Sequence, residues 1–339
     1  SYHEINKIIL NAENKYSKIN LTEFDTIDKF DQLHSIKNSD SKISSFLTIQ
    51  EGCDKFCKFC VVPYTRGPEC SRPFLEIISE VKQLANNGVK EIILLGQNVN
   101  AYSYKNKRLS DLIYSIDENN EIKRIRYTTS HPKDFTKDLI EAHSNCKKLM
   151  PLLHLPIQSG SSRILKNMNR DHTINEYLNI IEILKDKKKN IKFSSDFIIG
   201  YPGETNNDFL KTLELLNKVG FINSYSFIFS PRPGTPASNL EKIDNEISKK
   251  RLKIFQQTAN RIKTDYRNKL INSVVTVLFE NETKNRNNYF GRDEHFNSVI
   301  VNSDTDLSGK LVKVKINECN QNTLFGELIS NNEYKECAA

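Results

Sequence analysis

Between residues 44 and 229 the chain alternates short apolar runs with amphipathic stretches about six times. SSFLTIQ (44–50), EIILLG (91–96) and the runs at 122–128, 149–155, 191–199 and 224–229 read as strands. They are apolar without clean two-residue alternation, as in parallel sheets covered on both faces. The stretches at 73–87, 108–116, 134–144, 161–168, 173–187 and 204–219 read as helices. Pro73 suits a first helical turn and Gly88 a stop. Such alternation means a β/α barrel or an open doubly wound sheet, and periodicity does not separate the two.

The flanks differ. Residues 1–42 are polar and weakly patterned, although Ile5, Ile8 and Ile9 can share a helical face, and KNSDS (37–41) reads as a linker. Residues 243–271 read as a long helix that a break could interrupt. After residue 272, short β-branched runs at 274–279, 299–301, 311–316 and 323–329 are separated by Asn, Asp and Gly. They predict a small all-β barrel. The expected division is an N-terminal stretch and linker at 1–42, an α/β core at 43–271, a β-barrel at 272–331 and a tail at 332–339.

Composition narrows the setting. The longest apolar runs, such as 92–95, are far too short to span a bilayer, and residues 1–18 carry Asn, Lys and Glu throughout, unlike a signal peptide. A net charge of +7 favours a polyanionic partner over an acidic protein, although a solvated basic surface gives the same number. Seven cysteines, an odd count with three inside eight residues, argue against a disulfide scaffold and for a reducing cytoplasm.

Those three lie in EGCDKFCKFCVVPYTRG (51–67), as Cys53, Cys57 and Cys60 in C-x3-C-x2-C spacing. A structural zinc site wants four ligands, and Cys70 could supply the fourth only at strained spacing. A [4Fe–4S] cluster on three thiolates keeps its fourth iron open for a small molecule. Phe59, directly before the last cysteine, supplies an apolar wall that tunes such a cluster and can lie near a bound adenine. The loop follows the first strand, and the turns after later strands carry Gln97, Gln158 and Gly200. In β/α architectures that end of the strands is where chemistry sits.

CDKFCKFC (53–60) resembles the signature of radical S-adenosylmethionine (SAM) enzymes. That resemblance implies a partial (β/α)6 TIM-like barrel, with the amino and carboxylate groups of SAM chelating the open iron. It also implies one-electron cleavage of SAM to a 5′-deoxyadenosyl radical. GQNVNAY (96–102), TSHPKDF (129–135), HLPIQSGSSRILKNMNR (154–170), DFIIGYPGET (196–205) and SPRPGTPA (230–237) follow in order. Together these words resemble the methylthiotransferases, and VVPYTRG and GQNVNAY their tRNA branch, over residues 1 to about 330.

The resemblance carries over to single residues. It implies that Gly96, Gln97 and Asn98 hold the amino group of SAM, where the plain reading is a polar turn. Gln158 and Ser159 open a helix whose free N–H groups suit a carboxylate or ribose, where the plain reading is a cap by Ser159 or Ser161. Asp196 and Gly200 would flank the adenine, Gly200 by allowing close backbone approach. Glu204 reads as a cap of the next helix. Arg66 and Arg232 are candidates for tRNA phosphates and otherwise ordinary surface arginines. His131 and His154 read as structural, and Lys187, Lys188 and Lys189 as a solvated helix end. The C-terminal barrel looks like a TRAM-type RNA-binding module. Its Tyr289, Phe290, Arg292 and Phe325 would serve an RNA surface or the core.

The implied reaction is a transferase reaction: methylthiolation of C2 of N6-isopentenyladenosine beside the anticodon of tRNA. The radical abstracts the hydrogen, so no side chain is assigned as a general base. Expected partners are tRNA and an electron donor such as a flavodoxin or ferredoxin, with the protein a monomer. The alternatives are the sister reaction on threonylcarbamoyladenosine and a non-catalytic RNA-binding remnant. Full-length relatives carry an additional N-terminal domain whose three cysteines hold a second, auxiliary [4Fe–4S] cluster. No cysteine precedes Cys53, and the chain begins with Ser1. The expectation is therefore a fragment, with 1–42 a remnant of that domain, one cluster here and SAM cleavage as this chain's own share. Cys70, Cys146, Cys319 and Cys337 are scattered singly and read as structural.

Overall fold

A computed structural model describes residues 9–10 and 43–329. Ile5, Ile8, the linker at 37–41, Cys337 and the tail lie outside the described residues.

Six strands follow one another in space in chain order. β1 (Ser44–Thr48), β2 (Glu91–Leu95) and β3 (Arg124–Thr128) form one parallel sheet, in register from Ser44–Glu91–Arg124 to Thr48–Leu95–Thr128. β4 (Leu152–His154), β5 (Lys192–Ile199) and β6 (Asn223–Ile228) form a second. Ile125 joins them: its N–H donates to Lys148 O (2.8 Å) and its carbonyl accepts from Met150 N–H (3.0 Å). Sequential order without reversal marks a barrel rather than a doubly wound sheet. The barrel is open between β1 and β6.

Helices α1 (Val62–Arg66), α2 (Phe74–Asn86), α3 (Leu109–Asp117), α4 (Lys137–Asn145), α5 (Ser162–Asn167), α6 (Ile174–Lys187) and α7 (Asn206–Val219) lie between the strands. Their ends follow local chemistry. Thr173 with Glu176 and Thr205 with Asp208 form capping boxes that start α6 and α7. Gly220, at φ 70°, ends α7 in the left-handed conformation. In α2, Ile77, Val81 and Leu84 recur at helical spacing and are buried against the sheet. Residues 134–144 differ from the sequence reading. A single 3-10 turn (Pro132–Asp134) precedes α4, and Phe135 between them stacks on His143.

Alternation along the strands sorts the two faces. Ser45 and Leu47 of β1 are buried under helices, whereas Phe46 faces the barrel interior and is 65% exposed because the barrel is open.

Helix α8 (Asn245–Asn268) runs unbroken. It leads into five strands: β7 (Val274–Glu282), β8 (Asn288–Arg292), β9 (Ser298–Asn302), β10 (Leu311–Cys319) and β11 (Thr323–Leu328). They close in the order β7-β8-β9-β11-β10 around Val277, Phe279, Tyr289, Val299, Val314 and Leu324. β8 is not legible as a strand because its apolar signal is only Tyr289 and Phe290, followed at once by Gly291. A Cβ there would meet Leu278 O at 2.5 Å, so the close approach of β7 demands glycine. Tyr289 is core, not RNA-facing surface.

The small barrel docks on the N-terminal ends of the large barrel's strands. The Arg124 guanidinium donates to the carbonyls of Arg292 (2.6 Å) and Thr276 (2.7 Å), and Arg126 to those of Asp293 (2.9 Å) and Glu294 (3.0 Å). Arg292 is therefore an interface residue, stacked on Phe296 beside Arg126. Among the described residues no helix is long and apolar enough to cross a membrane.

Candidate cluster and cofactor site

The cysteine loop leaves β1 at the C-terminal end of the half-barrel. Gly52 starts it at φ 77°, and a Cβ there would lie 1.9 Å from Pro68 O, so only glycine fits. The Gly52 N–H donates to Gln97 Oε1 (2.7 Å), and the Asn98 N–H to Gln50 Oε1 (3.0 Å), which ties the loop to the turn after β2. Gly96 is needed there too, because a Cβ would meet Gln50 Oε1 at 2.6 Å. Asn98 donates through Nδ2 to Asp134 Oδ2 (2.7 Å) and Glu69 Oε1 (3.0 Å), while its Oδ1 is buried without a partner. A buried orphan acceptor is costly unless a donor arrives, and an ammonium group is such a donor.

The segment after α5 clamps the loop from the other side. Met168 O accepts from Lys58 N–H (2.9 Å), and Asn169 Nδ2 donates to the carbonyls of Phe56 (3.1 Å) and Lys55 (3.3 Å). Arg170, buried, donates to Cys57 Sγ (3.6 Å) and Pro156 O (2.6 Å). Phe56, Asn169 and Asp171 all have positive φ, a cost that the clamp sustains. Asn169 and Arg170 end the quoted word HLPIQSGSSRILKNMNR and received no role from sequence. The missed signal was an arginine and an asparagine just past a short helix, where neither serves a helix face.

Burial pushes the Cys53 thiol up to about 11, and burial also raises that of Cys60. Cationic metal reverses this preference and holds the thiolates deprotonated. Among the described residues no three His, Cys, Asp or Glu side chains converge on a point for one ion. The loop offers three thiols, one short of the four ligands of a structural zinc site and enough for three irons of a cluster. Cys70 pairs with Glu51 in a two-residue ladder and does not complete a zinc site.

The remaining sequence candidates fall as follows. Phe59 packs on a small apolar cluster with Tyr201, Phe229, Ile198 and Met168 beside the loop. Gln158, at φ 77°, pairs by backbone with β5 through Asp196 O (2.9 Å) and Ile198 N–H (3.0 Å). Ser161, not Ser159, caps α5, and Ser159 is buried with its hydroxyl accepting from Ser161 N–H (3.2 Å). Asp196 faces the barrel interior, 3.5 Å from His154 Nε2. Gly200, at φ 72°, is not open toward a ligand: a Cβ would meet Ser248 Oγ of α8 at 2.5 Å. Glu204 does not cap α7. It accepts from Gly200 N–H and pairs with Arg251 at 2.7 Å, binding β5 to α8. Lys188 is not solvated but donates to Leu149 O (2.6 Å). Arg66 and Arg232 are exposed, Arg66 at the end of α1 and Arg232 where its carbonyl anchors Thr235.

Inside the half-barrel lies a cavity of about 350 Å3 lined by Phe46, Ile93, Arg126, His154, Asp196 and Tyr225, with Phe296 of the small barrel also lining it. The Arg126 charge is answered there by Glu91 Oε2 (2.9 Å), and Nη1 and Nη2 each donate to a carbonyl of the small barrel.

Residues 47–216 match the Radical SAM superfamily and residues 268–329 the TRAM domain. Coproporphyrinogen III oxidase from Escherichia coli, a radical SAM enzyme, shares the fold. Its TM-score is 0.50 at 13% identity, over 95% of this chain and 80% of that one. The half-barrel, its cysteine loop and the docked β-barrel thus define a radical SAM enzyme with an appended TRAM domain. Two curated relatives narrow the class. The tRNA-2-methylthio-N(6)-dimethylallyladenosine synthase of Pelagibacter ubique is 58% identical over 99% of this chain and 76% of its own length. That of Anaplasma phagocytophilum is 43% identical over 97% and 76%. The chain belongs to the tRNA-2-methylthio-N(6)-dimethylallyladenosine synthase family.

Proposed function

We propose that the protein serves methylthiolation of C2 of N6-dimethylallyladenosine beside the anticodon of tRNA, and that this chain's own share is SAM cleavage, with one [4Fe–4S] cluster on Cys53, Cys57 and Cys60 and SAM at the fourth iron. When bound, the cluster supplies the single electron that cleaves SAM. The chain's own residues bind and orient SAM and the target base for that cleavage, and none of them is assigned the delivery of sulfur. Asn98 Oδ1 accepts from the ammonium of SAM, with Gly96 and Gln97 shaping the turn that presents it. Gln158 and Ser159 border the carboxylate and ribose, and Phe59 and Asp196 the adenine side. Arg66 and Arg232, exposed at the mouth, meet tRNA phosphates.

The observation that carries this reading is the cavity inside the half-barrel, lined by residues of all six strands. A base must leave its stack to enter it. Phe46 of β1 and Tyr225 of β6 stand at the two edges of the open barrel, 65% and 53% exposed, as stacking surfaces. With the Arg126 charge paired to Glu91 and Asp196 present, the interior suits an apolar N6 substituent over the acidic threonylcarbamoyl group. The electron comes from a donor such as a flavodoxin or ferredoxin, and the protein works as a cytoplasmic monomer.

Nucleoside mass spectrometry of tRNA from cells lacking the gene tests this. The methylthio-dimethylallyl nucleoside should vanish while dimethylallyladenosine accumulates. Its persistence, or loss of only the methylthio-threonylcarbamoyl nucleoside, would overturn the proposal.

A further inference from the structure

We infer that Arg170 is a positioning residue that sets the reduction potential of the cluster through its charge-bearing hydrogen bond to Cys57. The inference rests on the cluster assignment above and concerns a residue to which that reading gives no task.

Arg170 is 5% exposed. Burying a guanidinium is costly unless its donors are used and its charge is answered. Yet this guanidinium meets a sulfur and a carbonyl: Nη1 donates to Cys57 Sγ (3.6 Å), Nη2 to Pro156 O (2.6 Å), and Nε is buried without a partner. Nothing in that set compensates the charge of the folded chain. A cluster on three thiolates does. Such a cluster carries net negative charge, and one-electron reduction adds another, so an adjacent buried cation stabilises the reduced form more than the oxidised form.

The neighbourhood makes Arg170 the charge that counts behind Cys57. His131 and His172 stack edge to face at 5.5 Å, and His172 Nδ1 meets Arg170 O at 2.7 Å. Both are buried, with orphan Nε2 atoms. They add no charge, because burial, reinforced by Arg170, holds His131 far below the usual imidazole range and His172 at about 4. Lys55, nearer Cys53, is answered by Asp134 at 2.7 Å. The backbone also holds Arg170 in place, by its N–H to Leu165 O (3.0 Å), while Asn169 and Met168 grip the loop it serves. The side chain therefore reaches the sulfur from a fixed base, as outer-sphere tuning requires.

The test is an EPR-monitored redox titration of the reconstituted protein without substrate, alongside iron and sulfide analysis. R170Q and R170M remove the charge, and R170K keeps it. At the wild-type midpoint, the reduced-to-oxidised ratio should fall about tenfold in R170Q and R170M, which is about 59 mV for a one-electron couple. R170K should stay within about twofold of wild type. An unchanged midpoint in either neutral variant, or an equal shift in R170K, would overturn the inference. So would loss of iron in both neutral variants with a wild-type potential in R170K, since Arg170 would then only hold the loop. Failure of all proteins, wild type included, to take up a cluster would instead refute the cluster assignment.

Discussion

Gly160 and Gly88 are both glycines, but the molecule uses them for different reasons. At Gly88, φ is 90° and an added Cβ meets nothing within 4 Å, so the demand is conformational. At Gly160 an added Cβ would lie 2.4 Å from Lys211 O and 2.5 Å from Thr212 Cα, both backbone atoms of α7, and its N–H donates to Thr212 Oγ1 (3.0 Å). A helix backbone cannot step aside as a flexible side chain can. Gly88→Ala should cost about 1 kcal/mol, whereas Gly160→Ala should cost about 2–3 kcal/mol by overpacking. Denaturant unfolding of the two variants decides the matter; equal losses would mean that α7 shifts freely. The same contrast explains what was legible. C-x3-C-x2-C, Gly96 and Gln97 stand in local words whose spacing carries their chemistry. The contacts of Gly200 with Ser248, Glu204 with Arg251 and Arg170 with Cys57 join positions 47 to 113 residues apart. No local pattern encodes those pairings.

Among the secondary elements, six alternations of strand and helix were readable because the apolar period recurs in each, reinforced by side-chain caps at α5, α6 and α7. β8 escaped because its glycine serves a neighbouring strand, and its Tyr289 and Arg292 resembled an exposed face until the docked barrel supplied their partners. α4 shows how tertiary context also governs titration. Its His143 is fully buried, its Nε2 lies 2.6 Å from Tyr127 Oη, and its Nδ1 has no partner. Burial, with a smaller contribution from Lys188, lowers its pKa to about 3. The unfolded chain takes up this proton near pH 6.5 and the folded chain only near 3, so between those values the unfolded state binds more protons. The stability due to neutral burial is complete above pH 6.5 and declines as pH falls toward 3. At pH 4.5 the loss should be about 2–3 kcal/mol relative to pH 7. His143→Phe should flatten that part of the stability-against-pH curve, whatever its effect at pH 7. A variant curve parallel to wild type would show that His143 charges without penalty.

Across the whole molecule, the cysteine loop sits at the C-terminal ends of the strands and the small barrel at their N-terminal ends, with Phe296 reaching between them into the cavity. Two arginines with different electrostatic positions join the two bodies, beside His295, whose Nε2 lies 2.8 Å from Asn190 O. Arg124 gives its donors to carbonyls alone, and removing it leaves those acceptors short. Arg126 also pairs with Glu91 at 2.9 Å, and both are buried. Arg126→Leu therefore leaves a buried carboxylate with only the Ser44 hydroxyl, at 3.0 Å, in support. Breaking a buried pair by removing one partner costs about 3–5 kcal/mol, whereas replacing both by apolar residues is often near neutral. Arg126→Leu should thus destabilise the protein by that amount and separate the unfolding of the small barrel from that of the half-barrel. Adding Glu91→Leu to it should restore at least half of the loss, although one more native residue is gone. Calorimetry with denaturant titration reads both effects. If the double variant is no more stable than Arg126→Leu alone, the loss comes from the carbonyl contacts to the small barrel and not from the unpaired Glu91.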